Sequence, residues 1–93
     1  MIEVKLHQTC SACPEQYNMY IEDETDPIGY FRIRHGYLMV EYLGRVVFES
    51  DIRGDGGFDS EERDFFLKAG IQAVLEAHTG SGDNFLIKFY KID

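Results

Sequence analysis

The sequence predicts an α+β fold: an antiparallel β-meander of about four to five strands, one long helix packed on the sheet, and then a C-terminal strand. Three observations predict this class. Apolar and polar residues alternate through the first half of the chain, which indicates strands with one buried face. A helical apolar spacing follows, over about residues 60–78, and then the apolar run FLIKFY. With 93 residues, 44% of them hydrophobic, we expect a single α+β domain, 1–93.

The first two strands are predicted from their alternation. Ile2, Val4 and Leu6 alternate with polar residues, and the segment TCSACP then predicts a turn. The segment EQYNMYIE places Tyr17 and Met19 on one face of a second strand. DETDPIG after it is typical of a hairpin connection.

Residues 29–42, GYFRIRHGYLMVEY, predict a β-hairpin. His35-Gly36 fits a two-residue turn, in which glycine tolerates a positive φ. That turn pairs Arg34 with Tyr37 and fixes the remaining register. The predicted core face consists of Phe31, Ile33, Leu38 and Val40. The opposite face carries Tyr30, Arg32, Arg34, Tyr37, Met39 and Glu41, which form one patch because cross-strand neighbours lie about 5 Å apart.

The second half of the chain predicts one more strand, a loop, the helix and the last strand. RVVFES forms the strand, and DIRGDGGFD forms the loop. Asp59 is the expected N-cap because an acid, Glu62, follows three residues later, and Gly80 is the expected C-cap. Since FLIKFYKI is apolar on both faces, we expect this last strand inside the sheet.

The composition narrows the classes of function. A formal net charge of -8 disfavours binding to duplex nucleic acid or to an anionic membrane surface. No apolar run reaches the roughly 20 residues that span a bilayer. The start, MIEVKLHQ, lacks the apolar core of a signal peptide, so we expect a cytoplasmic location.

His7, Cys10 and Cys13 form the first group that could carry chemistry. An imidazole and two thiolates in a tight turn could supply three ligands to zinc, with His35 or a carboxylate as the fourth. A C-x-x-C pair could also be the redox dithiol of a thiol oxidoreductase. Reduced structural cysteines are the third interpretation, and the sequence leaves all three open.

Residues 51–62 form the second group, because they match part of a twelve-residue calcium loop. The matching acidic positions are Asp51, Asp55, Asp59 and Glu62, with Gly56 where a sharp bend is needed. Arg53 occupies a position where a ligand is expected, so the match is incomplete. An acidic loop that caps the helix is the alternative.

The hairpin patch, with His35 beside it, is the third group. Guanidinium groups pair with phosphate or carboxylate, and aromatic faces stack on a base, so an anionic nucleotide is one possible ligand. Tyrosine and arginine are also the residues enriched in protein-interface hot spots, so a partner protein or a homodimer is another. An ordinary exposed sheet face is the third possibility.

The runs CSACPEQY, GYFRIRHGYLMVEY and GDGGFDSEERDFF together resemble small proteins of tailed phages and prophages. The shared pattern is C-x-x-C-P-E-Q-Y, then G-Y-x-R-x-R-x-G, then G-D-G-x-F-x-x-x-E-R. The resemblance carries no catalytic residues. It implies a phage-borne accessory protein that acts in the host cytoplasm.

We therefore expect a non-enzymatic binding protein whose working surface is the hairpin face. The preferred version is a phage inhibitor of host defence that captures a host protein or an anionic nucleotide signal. The alternatives are a metal-binding module, with zinc at the C-x-x-C turn or calcium at residues 51–62, and a C-x-x-C thiol oxidoreductase.

Overall fold

The computed structural model describes residues 1–11, 14–80 and 84–91. Five strands in sequence form an antiparallel meander, and the helix and a sixth strand follow. The elements are β1 (Ile2–Ser11), β2 (Glu15–Ile21), β3 (Gly29–Arg34), β4 (Tyr37–Tyr42), β5 (Arg45–Asp51), α1 (Arg63–Thr79) and β6 (Phe85–Tyr90). The strand order across the sheet is β5-β4-β3-β2-β1-β6. The predicted α+β class is therefore confirmed.

The predicted hairpin forms in the predicted register. Arg34 pairs with Tyr37, and the pairing continues through Tyr30 with Glu41. Both turn residues have positive φ, 54° at His35 and 72° at Gly36, as a type I′ turn requires. The four residues of the predicted core face are fully buried: Phe31, Ile33, Leu38 and Val40.

The core lies between α1 and one face of the sheet. The helix packs mainly on β3, β4 and β5. Its buried stripe, Leu67, Gly70, Ile71, Val74 and Leu75, repeats at helical spacing. Gly70 allows the closest approach, because a Cβ built there would overlap with the ring of Phe31. The other face of the sheet has no layer over it in the part of the chain that the structure describes. We call it the open face.

Two predicted boundaries differ from the structure. Residues 9–11 belong to β1 rather than to a turn, because Cys10 and Ser11 pair with the start of β2 beyond a bulge at residue 9. The helix begins at Arg63 rather than near residue 60, and its N-cap is Glu62, so the prediction of Asp59 as the N-cap is wrong. Asp59 still caps the preceding turn, since its Oδ1 accepts a hydrogen bond from the backbone N–H of Glu61. The predicted C-cap is confirmed, because Gly80 has a φ of 85° and its N–H bonds to the carbonyl oxygen of Glu76.

The prediction that FLIKFYKI lies inside the sheet is wrong. β6 is an edge strand, paired in parallel with β1 alone among the described strands. Leu86, Phe89 and Tyr90 are exposed as a result. An apolar run shows that a strand can be covered on both faces. It does not show on how many sides the strand is paired.

Candidate functional site

The hairpin patch lies on the open face. Tyr30, Arg32 and Met39 are partly buried by their neighbours on the sheet, while Arg34 and Tyr37 are exposed. Residues that face each other across antiparallel strands share a face, so Gln16 and Glu49 extend the patch on either side of Arg32 and Met39.

The two arginines of the patch have no ionic partner in the part of the chain that the structure describes. Across the described residues, neither Arg32 nor Arg34 forms an ion pair or a side-chain hydrogen bond, although Glu41 lies diagonal to Arg32. Tyr37 behaves differently. Its hydrogen bond with the Glu49 carboxylate raises the pKa of the phenol. Both guanidinium groups are therefore available to an external acceptor.

A second aromatic cluster continues the open face beyond the hairpin. His7 stacks on Tyr90, with ring centroids 4.5 Å apart, and meets the edge of Tyr20 at 4.9 Å. The register places His7 opposite Asn18, and Asn18 opposite Tyr30. Aromatic and amide side chains thus form a continuous row from the hairpin to the β6 edge.

Charge on the open face is balanced. The register places eight charged residues there, four cations and four anions: Lys5, Arg32, Arg34, Lys88, Glu3, Glu41, Glu49 and Asp51. The net charge of -8 therefore comes from the rest of the chain. Tyrosine, methionine and arginine are enriched at protein interfaces, and a surface without excess positive charge differs from the basic surfaces that bind nucleic acid.

The zinc prediction falls partly outside the described residues, because Cys13 lies there. The exposed ring of His7 is on the open face, between Tyr20 and Tyr90, and Cys10 is partly buried near the end of β1. His35 lies in the β3–β4 turn. Zinc binding and dithiol chemistry remain predictions.

The calcium prediction involves residues that the structure uses in another way. The Glu62 carboxylate accepts hydrogen bonds from the backbone N–H groups of Arg53, Gly54 and Asp59, at 2.8, 2.8 and 2.9 Å. Asp51 ends β5, and Asp55 is exposed. Among the residues described, no group of three or more His, Cys, Asp or Glu side chains is placed to hold a metal ion. Calcium binding remains a prediction, which a chelator-dependent change in melting temperature would test.

The structure contains a buried polar network that the sequence analysis did not identify. Glu15 is 1% exposed, and its carboxylate accepts hydrogen bonds from the Tyr17 hydroxyl, from the Phe58 N–H at 2.9 Å and from Arg63. Arg63 donates through Nε at 3.0 Å and through Nη2 at 3.1 Å. The backbone N–H of Glu15 also bonds to the carbonyl oxygen of Gly56. This network, the Glu15 network, joins β2, the 52–62 loop and the start of α1.

The electrostatics of the network keep Glu15 charged. Burial raises the pKa of its carboxyl, but the hydrogen bonds from Arg63, Tyr17 and Phe58 outweigh burial, and the net pKa lies below the usual 4.5. Burial, together with the hydrogen bond to Glu15, raises the pKa of Tyr17. The network therefore consists of a carboxylate, a neutral phenol and a guanidinium, with their mutual hydrogen bonds already formed.

A sequence signal for the network existed. Glu15 lies two residues before Tyr17 and four before Met19, so the alternation of the strand places its carboxylate on the same buried face. A buried carboxylate requires a cation, and Arg63 is the arginine at the start of the helix. Both residues belong to the motifs that carry the phage resemblance, so two of those motifs meet in this network.

No family model, curated protein or solved structure matches this chain significantly. No helix among the described residues is both long enough and apolar enough to cross a membrane.

Proposed function

We propose that this chain is a binding protein that recognises another protein through the open face. The observation that carries the proposal is the position of Arg32 and Arg34 beside Tyr30 and Tyr37 on the open face. Within the described ranges of the chain, neither arginine has an ionic partner. Arginine and tyrosine are the anchors that most often dominate binding energy at interfaces.

The shape of the patch favours a protein over a small ligand. Two cavities among the described residues reach the patch and are small, about 100 Å³ beside Tyr30 and about 180 Å³ beside Arg34 and His35. Sites for small ligands usually enclose about 300–1,000 Å³. A broad and nearly flat surface is better suited to a macromolecular partner.

The phage resemblance supplies a context for this proposal. The pattern G-Y-x-R-x-R-x-G corresponds to residues 29–36, so Tyr30, Arg32 and Arg34 are among the residues that carry it. We infer an inhibitor of host defence that acts in the host cytoplasm and binds a host protein. An anionic nucleotide signal is the second candidate, supported by the same two guanidinium groups.

Native mass spectrometry after gentle purification from host cells is the first experiment, because it detects a retained protein, a nucleotide and a metal together. A captured protein is then titrated against Arg32→Ala, Arg34→Ala, Tyr30→Ala and Tyr37→Ala. We expect losses of about 2 kcal/mol, roughly 30-fold in Kd, at the anchor positions.

Arg45→Ala and Arg53→Ala are matched controls, because both arginines are exposed and lie off the open face. They should leave the affinity within about twofold of wild type. Wild-type affinity in all four open-face variants, with the fold intact, would refute the proposal. An added mass that matches a nucleotide would make the nucleotide signal the preferred ligand.

A further inference from the structure

On the helix side of the sheet, at the opposite face from the hairpin patch, lies a cleft of about 550 Å³. It forms because α1 packs mainly on β3, β4 and β5, which leaves part of β1 and β6 uncovered on this side. Its volume falls within the range of about 300–1,000 Å³ that is usual for ligand sites. The proposed function does not use this cleft.

The cleft has an aromatic wall. Tyr17 and Phe89 meet edge to face, with ring centroids 5.7 Å apart and an interplanar angle of 84°. Tyr17 is 1% exposed and is held by the Glu15 network, whereas Phe89 is 40% exposed. An aromatic ring that remains exposed inside a cleft favours a ligand with an apolar, planar part.

Hydrogen-bond donors surround this wall. Arg63 directs Nε and Nη2 to Glu15 and Phe58, but within the described part of the chain its Nη1 has no acceptor. The side-chain amide of Gln8 lies 3.5 Å from the Tyr17 hydroxyl, and Lys91 adds an exposed ammonium group. The two hydrogen bonds to Glu15 hold the Arg63 guanidinium in place before any ligand arrives.

The charges at the cleft limit the charge of the ligand. Glu15 already neutralises Arg63, and the negative charge of Asp64 offsets the positive charge of Lys91 in the lining of the cleft. Asp64 repels a dianion about twice as strongly as a monoanion, and a monoanion can still pair with Lys91 and with the remaining donor of Arg63. We propose that this cleft binds a small monoanion with a planar apolar body, of the aryl carboxylate class.

Benzoate is the probe, and two-dimensional NMR of the ¹⁵N-labelled protein is the measurement. We expect saturable shifts at the Gln8 side-chain amide, at Nε–H of Arg63 and at the backbone amide of Phe89. Acetate carries the charge without the ring, and benzamide carries the ring without the charge. Each should bind at least about tenfold more weakly than benzoate, a difference of about 1.4 kcal/mol.

Variants locate the binding. Phe89→Ala and Lys91→Ala should each weaken benzoate binding by about tenfold. Phe65→Ala and Lys68→Ala are matched controls, because they remove an exposed phenylalanine and an exposed lysine from the outside of α1 and should change nothing. Lys91→Ala removes only an exposed side chain, so it keeps the test valid if Phe89→Ala unfolds.

The proposal would be overturned by no saturable shift with benzoate, by equal binding of acetate or benzamide, by unchanged benzoate binding in Lys91→Ala, or by an equal loss in Phe65→Ala or Lys68→Ala. Arg34→Ala should leave benzoate binding unchanged, because Arg34 lies on the open face. Failure at the cleft is thereby distinguished from failure at the open face.

Discussion

The carboxylate of Glu15 and the guanidinium of Arg63, 48 residues apart in the chain, form two parallel hydrogen bonds of 3.0 and 3.1 Å. The pair joins the second strand to the first turn of the helix. The loop between β5 and α1 closes over it, because the N–H of Phe58 also donates to Glu15. A Cβ at Gly57 would stand 2.7 Å from Oε1 of Glu15, so only glycine fits there without a shift. The network therefore sets the position of α1 on the sheet.

Arg63→Met should destabilise the fold by about 3 kcal/mol, because it leaves Glu15 buried without its cation. This is the lower end of the usual range, since the Arg63 side chain is 36% exposed. Urea denaturation measures the change. Arg53→Ala is the control: Arg53 and Glu61 form an exposed ion pair at 3.8 Å, so we expect a loss below about 0.5 kcal/mol. Equal losses in the two variants would contradict a structural role for the Glu15 network.

Protonation of Glu62 should lower the stability of the protein in acid. Burial raises the pKa of Glu62, but the backbone N–H groups of Arg53, Asp59 and Gly54 outweigh burial and lower the pKa below the usual 4.5. A lowered folded-state pKa contributes stability above the unfolded pKa, and this contribution is lost as the pH falls through the folded value.

The difference in unfolding free energy between wild type and Glu62→Gln should therefore shrink as the pH falls below about 4.5. Urea titrations from neutral to acid pH measure it. Glu61→Gln changes the adjacent exposed carboxyl and serves as the control. If the difference in unfolding free energy stays constant with pH, Glu62 contributes to stability independently of its charge.

Gly70→Ala should destabilise the protein although alanine favours helices. The higher helix propensity of alanine stabilises the fold by about 1 kcal/mol, whereas overpacking a core typically destabilises it by about 1–3 kcal/mol. The new Cβ would overlap with the ring of Phe31 and stand 3.0 Å from Cγ2 of Val40, and both side chains are fully buried. We therefore expect the clash to dominate. A melting temperature above that of wild type would show that α1 can move away from the sheet at little cost.

Leu43→Asn should stabilise the protein by about 0.5–1 kcal/mol. Leu43 has a φ of 49° in the two-residue turn between β4 and β5, and its side chain is 67% exposed. The left-handed conformation costs an ordinary residue roughly 1–2 kcal/mol, and asparagine adopts it more readily. Thermal denaturation measures the gain. Gly44→Ala should destabilise the protein, because Gly44 has a φ of 85°, which alanine adopts less readily than glycine.

The sequence predicted best where local chemistry decides the geometry. The His35-Gly36 turn and the alternation around it determined the hairpin register, and the structure has that register. The register of β5 was not predicted, because Leu43-Gly44 does not look like a hairpin turn and a shift at Val40/Glu41 breaks the alternation. The edge position of β6 depends on pairing with β1, which no local pattern encodes.

The open face likewise contains some features that local sequence predicts and others that it does not. The alternation of side chains along each strand determines which residues lie on the open face, so every residue of the hairpin patch could be predicted from the sequence. The aromatic row through His7, Tyr20 and Tyr90 could not, because it requires β6 to lie beside β1. The Glu15 network joins residues from three separate elements, and sequence spacing alone does not indicate that they meet.

The parallel pairing of β1 with β6 has a consequence for synthesis. Ile2 pairs with Phe85, so β1 leaves the ribosome long before its outer neighbour exists. The meander can form as its strands emerge, because each pairs with the strand before it, and α1 can then dock. Until β6 has been translated, the nascent chain presents the unpaired edge of β1, and such an edge is a template for pairing with other chains. Among the described elements, β6 is therefore the last that can join the sheet, and a chain stalled before β6 would be the form most in need of a chaperone.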